Sequence, residues 1–276
     1  MSTSRQLTRL SLLAVSLCAA VYVVAVGTSW GRSLDAGAIP RDTTGPNWER
    51  AHVALRHAID TIHVATVALA VCAAVLVALR RRRPDLAAVA LVTIAGANLT
   101  THLLKPLLAR VDLFGGEGAR SITAAFPSGH ATAAMSLALV AVIVAPRRWR
   151  GWVSLAAAGY AGTVGVGLIV RVFHFPSDVV GGFLIAAAWG TGAAAVALSR
   201  REGAATAPAP RLPRRTVLVR SALILAAAVV VALLLREPAA HLHRGLFAVA
   251  ALTIASLALL LPVGLTFVLA RGHRHR

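Results

Sequence analysis

Residues 126–145 read FPSGHATAAMSLALVAVIVA, and this stretch predicts both a membrane helix and a polar site at its start. No side chain from Ala131 to Ala145 carries a charge. A bilayer core of about 30 Å needs roughly 20 apolar residues, so this run reaches full length only with the motif before it. Proline suits a first helical turn and serine suits an N-cap. Pro127 and Ser128 therefore predict where the helix begins.

The whole chain shares this apolar character. It has 276 residues, of which 58% are hydrophobic and only 14% are charged, whereas a soluble domain has about a quarter of its residues charged. We predict an all-α fold, a polytopic transmembrane helical bundle. A retained first helix is favoured over a cleaved signal peptide, because no small-x-small cleavage site ends the first apolar run. The eight predicted spans are roughly 10–28, 58–79, 86–104, 129–145, 152–173, 179–198, 217–235 and 246–270.

The distribution of charge predicts the orientation. If the N-terminus is cytoplasmic and every span crosses, the inner segments hold 18 of the 28 basic residues and two of the 10 acidic ones, a net charge of +16. The outer segments then hold the remaining 10 basic and eight acidic residues, a net charge of +2. This is the asymmetry of the positive-inside rule. It also explains the net charge of +18 without nucleic acid, and it places both termini in the cytoplasm of a cell (plasma) membrane protein.

The predicted spans divide into three regions. Residues 1–198 form a six-span membrane core, residues 199–216 a cytoplasmic linker rich in Ala, Pro and Arg, and residues 217–276 a two-helix membrane hairpin with a basic tail. An outer loop is expected over residues 29–57. Cys18 and Cys72 fall in apolar runs and are read as small apolar side chains.

Three polar segments follow or precede spans at the predicted extracytoplasmic face. They run from Lys105 to Asp112, from Phe126 to His130 and from Arg171 to Asp178. Lys105 is the only lysine beside 27 arginines. Such a residue is either an interfacial anchor or a compact cation directed at a phosphate.

The second and third segments each begin a helix. The free N–H groups of a helix start bind anions, and Gly129 lets a ligand approach the backbone. Asp178 lies four residues after His174, where a carboxylate can hold one ring nitrogen and leave the other as a nucleophile. The alternative is a capping aspartate beside an unrelated interfacial histidine.

Together the segments contain the parts of a phosphate-cleaving site. Such a site needs cations, a nucleophile and an acid for the leaving group. Lys105, Arg110 and Arg171 supply the first, His174 the second and His130 the third. No cluster of acidic residues offers a magnesium site, so we expect neither a metal nor a cofactor.

These segments resemble the type 2 phosphatidic acid phosphatase superfamily, which includes bacterial lipid phosphatases and haloperoxidases. The resemblance runs from Lys105 to Gly182 and implies a core of six helices. It implies that His174 attacks phosphorus and carries a phosphohistidine, that His130 protonates the leaving oxygen and that Asp178 orients His174. The residues that it assigns to the phosphate oxygens are Lys105, Arg110, Ser128 and Gly129.

The chain departs from the family pattern at two arginines. In the first motif, Val111 stands where proline follows the family's arginine. In the third motif the family's arginine lies six residues before the histidine, at Leu168, whereas Arg171 lies three before. Three and six residues along a helix point to different faces. Arg171 either replaces the usual phosphate ligand from the next turn or has another role.

Two functions remain open from the sequence. The first is metal-independent hydrolysis of a lipid phosphate or diphosphate at the extracytoplasmic face. Its substrate would be a polyprenyl diphosphate, phosphatidic acid, phosphatidylglycerophosphate or a glycolipid phosphate. The alternative is a catalytically weak or inactive member that binds or transports lipid. Four further polar residues near the outer ends of spans two and three either shape headgroup choice or are ordinary interfacial residues: Asp60, His63, Asn98 and His102.

Overall fold

The computed structural model describes residues 2–40, 46–108, 126–202 and 242–271, and all of its regular structure is helical. The α-helices are α1 (Thr3–Val21), α2 (Ser29–Gly37), α3 (Pro46–Asp60), α4 (Val64–Arg80), α5 (Pro84–Leu107), α6 (Gly129–Val144), α7 (Arg150–Val170), α8 (Pro176–Glu202) and α9 (Leu242–Arg271). A π-helical segment, Tyr22–Val26, extends α1. The predicted all-α membrane bundle is confirmed.

Within the described residues, five helices are long and apolar enough to cross a membrane, and α3 with α4 makes a sixth if that bent pair is one span. Of the eight predicted spans, seven coincide with helices in the described residues, and the seventh, 217–235, lies outside them together with most of the linker. α6 has 16 residues and is shorter than the five long apolar helices, as its short apolar run predicts. The chain is a multi-pass membrane protein.

The structure differs from the prediction at two places along the chain. Span 58–79 is drawn across a break, because α3 ends at Asp60 and α4 begins at Val64 with a bend of 62° between them. The expected outer loop 29–57 is largely helical, since α2 and most of α3 lie within it. α2 begins where Thr28 Oγ1 accepts a hydrogen bond from Gly31 N, a local cap that hydropathy does not detect.

α8 lies at the centre of the bundle. It packs against α1, α5 and α6, while α9 packs on α7, α6 and α8. Contact with α5 is close, because a Cβ on Gly96 would lie 2.5 Å from the Trp189 ring. The indole Nε1 of Trp189 donates to Thr100 Oγ1 at 3.0 Å. These contacts hold the middle of α8 against the second half of α5.

Candidate active site

The first two polar segments meet where α5 ends and α6 begins. A Cβ on Gly129 would lie 3.5 Å from Lys105 Nζ, so the ammonium group stands over the first turn of α6. Helix N-termini carry unsatisfied N–H groups and partial positive charge. An anion placed at Gly129 would therefore meet both the lysine and the helix start.

A backbone hydrogen bond joins the second segment to the third. Ser128 N donates to the carbonyl oxygen of Asp178 at 2.9 Å. Close approach is possible because a Cβ on Gly182 would lie 2.7 Å from Ser128 O, and one on Gly181 would overlap the Phe126 ring. The two predicted anion-binding helix starts, of α6 and α8, are thus attached to each other.

His174 and Asp178 form the predicted pair. The ring Nδ1 lies 3.4 Å from Asp178 Oδ2, and the same oxygen accepts a hydrogen bond from Phe175 N at 3.1 Å. Asp178 is fully buried and His174 is 9% exposed. An ionised carboxylate accepts hydrogen bonds only, so the tautomer of His174 that suits this contact carries its hydrogen on Nδ1 and has its lone pair on Nε2.

His130 completes the group. It is exposed in the first turn of α6 and interacts electrostatically with His174, Lys105, His63 and Asp60. Two histidines and the one lysine of the chain therefore lie near one another. His63 and Asp60 flank the break between α3 and α4, and they add polar groups beside His130.

The three other predicted phosphate ligands are Ser128, Arg110 and Arg171, and the structure describes two of them. Ser128 is fully buried, and its Oγ accepts from Ala131 N at 3.3 Å as the N-cap of α6. Arg171 has its guanidinium carbon 5.2 Å from the centroid of the Phe173 ring, and in the part of the chain that the structure describes its Nε is buried without a hydrogen-bond partner. Arg110 lies outside the described residues.

Asp35 holds the start of α8 in place, a role that the sequence analysis does not predict. Its Oδ1 accepts from Ser177 N at 3.0 Å and its Oδ2 from Ser177 Oγ at 2.6 Å. Asp35 is 7% exposed. It thereby ties α2 to the first turn of α8, one residue from Asp178. No local pattern indicates this contact, because 142 residues separate the partners.

Two threonines were also missed. Thr132 Oγ1 donates to Ser128 O at 2.8 Å, and Thr101 and Thr132 hydroxyls lie 2.9 Å apart. Since Thr132 gives its hydrogen to Ser128, Thr101 donates to Thr132. Thr101 lies one helical turn before Lys105, so this chain of bonds fixes the lysine's helix against the start of α6. The four-residue spacing of Thr101 and Lys105 was a usable signal.

This arrangement can bind and transfer a phosphoryl group. Lys105 and the start of α6 provide positive charge, Nε2 of His174 provides a nucleophile and His130 provides a second titratable ring. In the part of the chain that the structure describes, three or more His, Cys, Asp or Glu side chains nowhere form a group suited to a metal ion.

Comparisons with known proteins agree with this fold. No curated protein matches the chain in sequence. One solved structure that matches is a transmembrane PAP2-type phosphatidylglycerolphosphate phosphatase from Bacillus subtilis. It has 19% sequence identity and a TM-score of 0.52, covering 70% of this chain and 96% of that one. A model of the PAP2 superfamily matches residues 66–202, a range that contains Lys105, both histidines and Asp178. Through residues 66–202 the chain belongs to the PAP2 superfamily.

Proposed function

We propose that this protein hydrolyses a phosphate ester or diphosphate of a membrane lipid through a phosphohistidine on His174. The observation that carries the proposal is the buried pair of His174 Nδ1 and Asp178 Oδ2, 3.4 Å apart, with His130 and Lys105 beside it. A carboxylate that holds one ring nitrogen orients the other toward a substrate. Membership of the PAP2 superfamily supports the same activity.

The first chemical step forms a phosphorus–nitrogen bond. His174 Nε2 attacks phosphorus, the bond from phosphorus to the lipid oxygen breaks, and protonated His130 gives that oxygen a proton. Lys105 and the N–H groups at Gly129 stabilise the charge on the phosphoryl oxygens. Asp178 stabilises the positive charge that the imidazole of His174 acquires.

The second step returns the enzyme to its starting state. Neutral His130 takes a proton from water, the resulting oxygen attacks phosphorus, and the phosphorus–nitrogen bond breaks. Inorganic phosphate leaves, and His130 is again protonated. Ser128, Arg110 and Arg171 are proposed as further phosphate ligands, of which Ser128 requires the phosphate to reach a fully buried side chain.

An apolar groove beside the site supports a lipid substrate. It has a volume of about 320 Å³ and lies between α1, α5 and α8, with Tyr22, Leu104, Leu108, Phe126 and Trp189 in its wall. Leu104 is adjacent to Lys105, and Phe126 is two residues from Ser128. A hydrocarbon chain in this groove would place its phosphate at the helix starts.

The site is proposed to face the extracytoplasmic side. The support is the charge asymmetry of the sequence, +16 against +2, which places the polar segments outside and both termini inside. Substrates that fit this position include polyprenyl diphosphates, phosphatidic acid, phosphatidylglycerophosphate and glycolipid phosphates. The Bacillus subtilis protein is titled a phosphatidylglycerolphosphate phosphatase, which makes that lipid the first to test.

The test is phosphate release by the detergent-purified full chain from these four lipid classes, with EDTA present. We expect release by the unaltered protein, none by His174→Ala, and ordinary release by the control His57→Ala, whose ring is exposed on α3. A phosphate label on the protein should be stable in alkali, labile in acid and absent from His174→Ala. Release that requires added magnesium would refute the metal-independent mechanism.

The acid role of His130 has its own test. General acid catalysis raises a reaction rate about 10²–10⁴-fold. A substrate whose leaving group needs no proton should not lose this factor when the acid is removed. His130→Ala should therefore lose far more activity on an alkyl phosphate than on p-nitrophenyl phosphate. Retention of the cellular function by His174→Ala, with no release from any lipid, would instead favour the alternative of an inactive lipid-binding or lipid-transporting member.

A further inference from the structure

A second polar cavity lies at the opposite end of the bundle from the histidines. It has a volume of about 190 Å³ and is formed where α5 and α7 begin and where α6, α8 and α9 end. Its charged lining residues are Arg81, Arg83, Asp85, Arg147 and Arg150. This volume is several times the roughly 30 Å³ share of one water molecule, so a tetrahedral anion fits.

Arg150 is the residue that requires explanation. It is 7% exposed, and its Nε is buried without a hydrogen-bond partner among the described residues. Its electrostatic neighbours are Arg81, Arg147 and Arg83, all of the same sign. Burying a charge without a partner is costly, and like charges around it increase that cost.

The described residues around the cavity offer too little negative charge. Among the residues that the structure describes, Asp85 is the one carboxylate in the lining, and it already pairs with Arg83 at 3.1 Å. Four arginines against one aspartate leave an excess of positive charge. An anion in the cavity would balance it.

Structural roles explain only part of the cluster. Arg81 donates to Val144 O and Arg150 Nη2 donates to Ala145 O at 3.3 Å, so both stabilise the carbonyl end of α6. Those bonds leave Arg150 Nε unused. Orientation in the membrane requires positive charge near the inner surface, but exposed arginines satisfy it, whereas Arg150 is buried.

We propose that this cavity binds a phosphate-bearing anion, at a site separate from the catalytic one. Guanidinium groups bind phosphate oxygens by charge-assisted hydrogen bonds. Basic pockets between membrane helices on the cytoplasmic side suit anionic lipid headgroups, and Leu86, Val89 and Leu269 in the wall suit the apolar part of a lipid. Free inorganic phosphate would accept the same hydrogen bonds from the guanidinium groups. This inference does not depend on the proposed catalytic activity.

A matched pair of variants tests it. Arg147 and Arg148 are neighbours and both are exposed. Arg147 lines the cavity, whereas the Arg148 guanidinium carbon lies 5.9 Å from the centroid of the Trp149 ring. Arg147→Gln and Arg148→Gln remove the same charge at the same end of the protein, and only the first removes it from the cavity.

The measurement uses the detergent-purified full chain and three probes: dioleoyl phosphatidylglycerol, dioleoyl phosphatidylcholine and inorganic phosphate. Native mass spectrometry reports lipid binding, and calorimetry reports phosphate binding. Because Arg147→Gln removes a charge-assisted hydrogen bond to the anion, we expect it to weaken binding about tenfold or more. Arg148→Gln should change it less than about twofold. Phosphatidylcholine, which has no net charge, should not distinguish the variants.

The probes identify the source of the anion. Selective loss of phosphatidylglycerol binding supports a lipid headgroup, and selective loss of phosphate binding with no lipid effect supports a free anion. Arg150→Gln should reproduce the loss, and if that variant does not fold, the Arg147 and Arg148 pair still decides. Equal binding of both anionic probes by Arg147→Gln, Arg148→Gln and the unaltered protein would overturn the proposal.

Discussion

Asp178→Asn is the substitution that most directly tests the role of the buried carboxylate. The change keeps the shape of the side chain and an oxygen that can accept from Phe175 N, but it removes the charge beside His174. If His174 is the nucleophile, its ring becomes positively charged in the transition state. At the observed 3.4 Å, and with an effective dielectric constant of about 20, opposite unit charges attract by about 5 kcal/mol.

The expected loss is somewhat smaller than this attraction. The amide retains part of the hydrogen bond to Nδ1, so we expect a loss of about 3–4 kcal/mol. Because each 1.4 kcal/mol changes a rate tenfold, kcat should fall roughly 10²–10³-fold. KM should change little, since the charge develops only in the transition state.

The assay is phosphate release under saturating lipid, together with the rate of phosphohistidine formation in a single turnover. The control is again His57→Ala, whose ring is exposed on α3 and which should leave kcat within about threefold. Helicity and elution volume check that each variant is folded. A folded Asp178→Asn protein that keeps more than a tenth of the normal kcat would refute the orienting role.

Two further predictions concern the packing around the site. Asp35→Asn should lower kcat about 10–100-fold, because it weakens two buried hydrogen bonds to Ser177 worth about 1–3 kcal/mol. The loss should not add to that of Ser177→Ala in a double-mutant cycle, and full additivity would contradict the contact. Gly182→Ala should lower stability by about 1–3 kcal/mol, seen as a lower Tm, because its Cβ would press on backbone. In the control Gly159→Ala the new Cβ meets no described atom within 4 Å, and an equal drop in Tm there would refute the close-approach argument.

Local patterns predict the helices well because each depends on one segment. Hydropathy predicts the apolar helices, and the Pro-Ser pair before Gly129 predicts the start of α6 at the residue where it begins. The same reasoning fails at α2 and at the break between α3 and α4. There the chain carries polar and charged residues, and its path depends on packing against α7 and on caps such as Thr28.

The candidate site also contains some contacts that the sequence predicts and others that it does not. The spacing of His174 and Asp178 within one turn predicts their contact, which the structure contains. The arginine ligands remain predictions, because Arg110 lies outside the described residues and Arg171 stacks on Phe173. Asp35 could not be predicted, since an acidic residue in a polar segment is unremarkable until its partner 142 residues away is known.

His130 at the start of α6 and His174 before α8 show which features follow from the sequence and which depend on the fold. Hydropathy and capping act over a few neighbouring residues, so the amino-acid sequence is enough to predict a membrane bundle with each histidine at a helix start. The folded chain is needed to see that the two starts are joined by the bond from Ser128 N to Asp178 O, and that Arg150 is buried among like charges. Both depend on the packing of helices far apart in the chain, and a sequence pattern contains no distance between them.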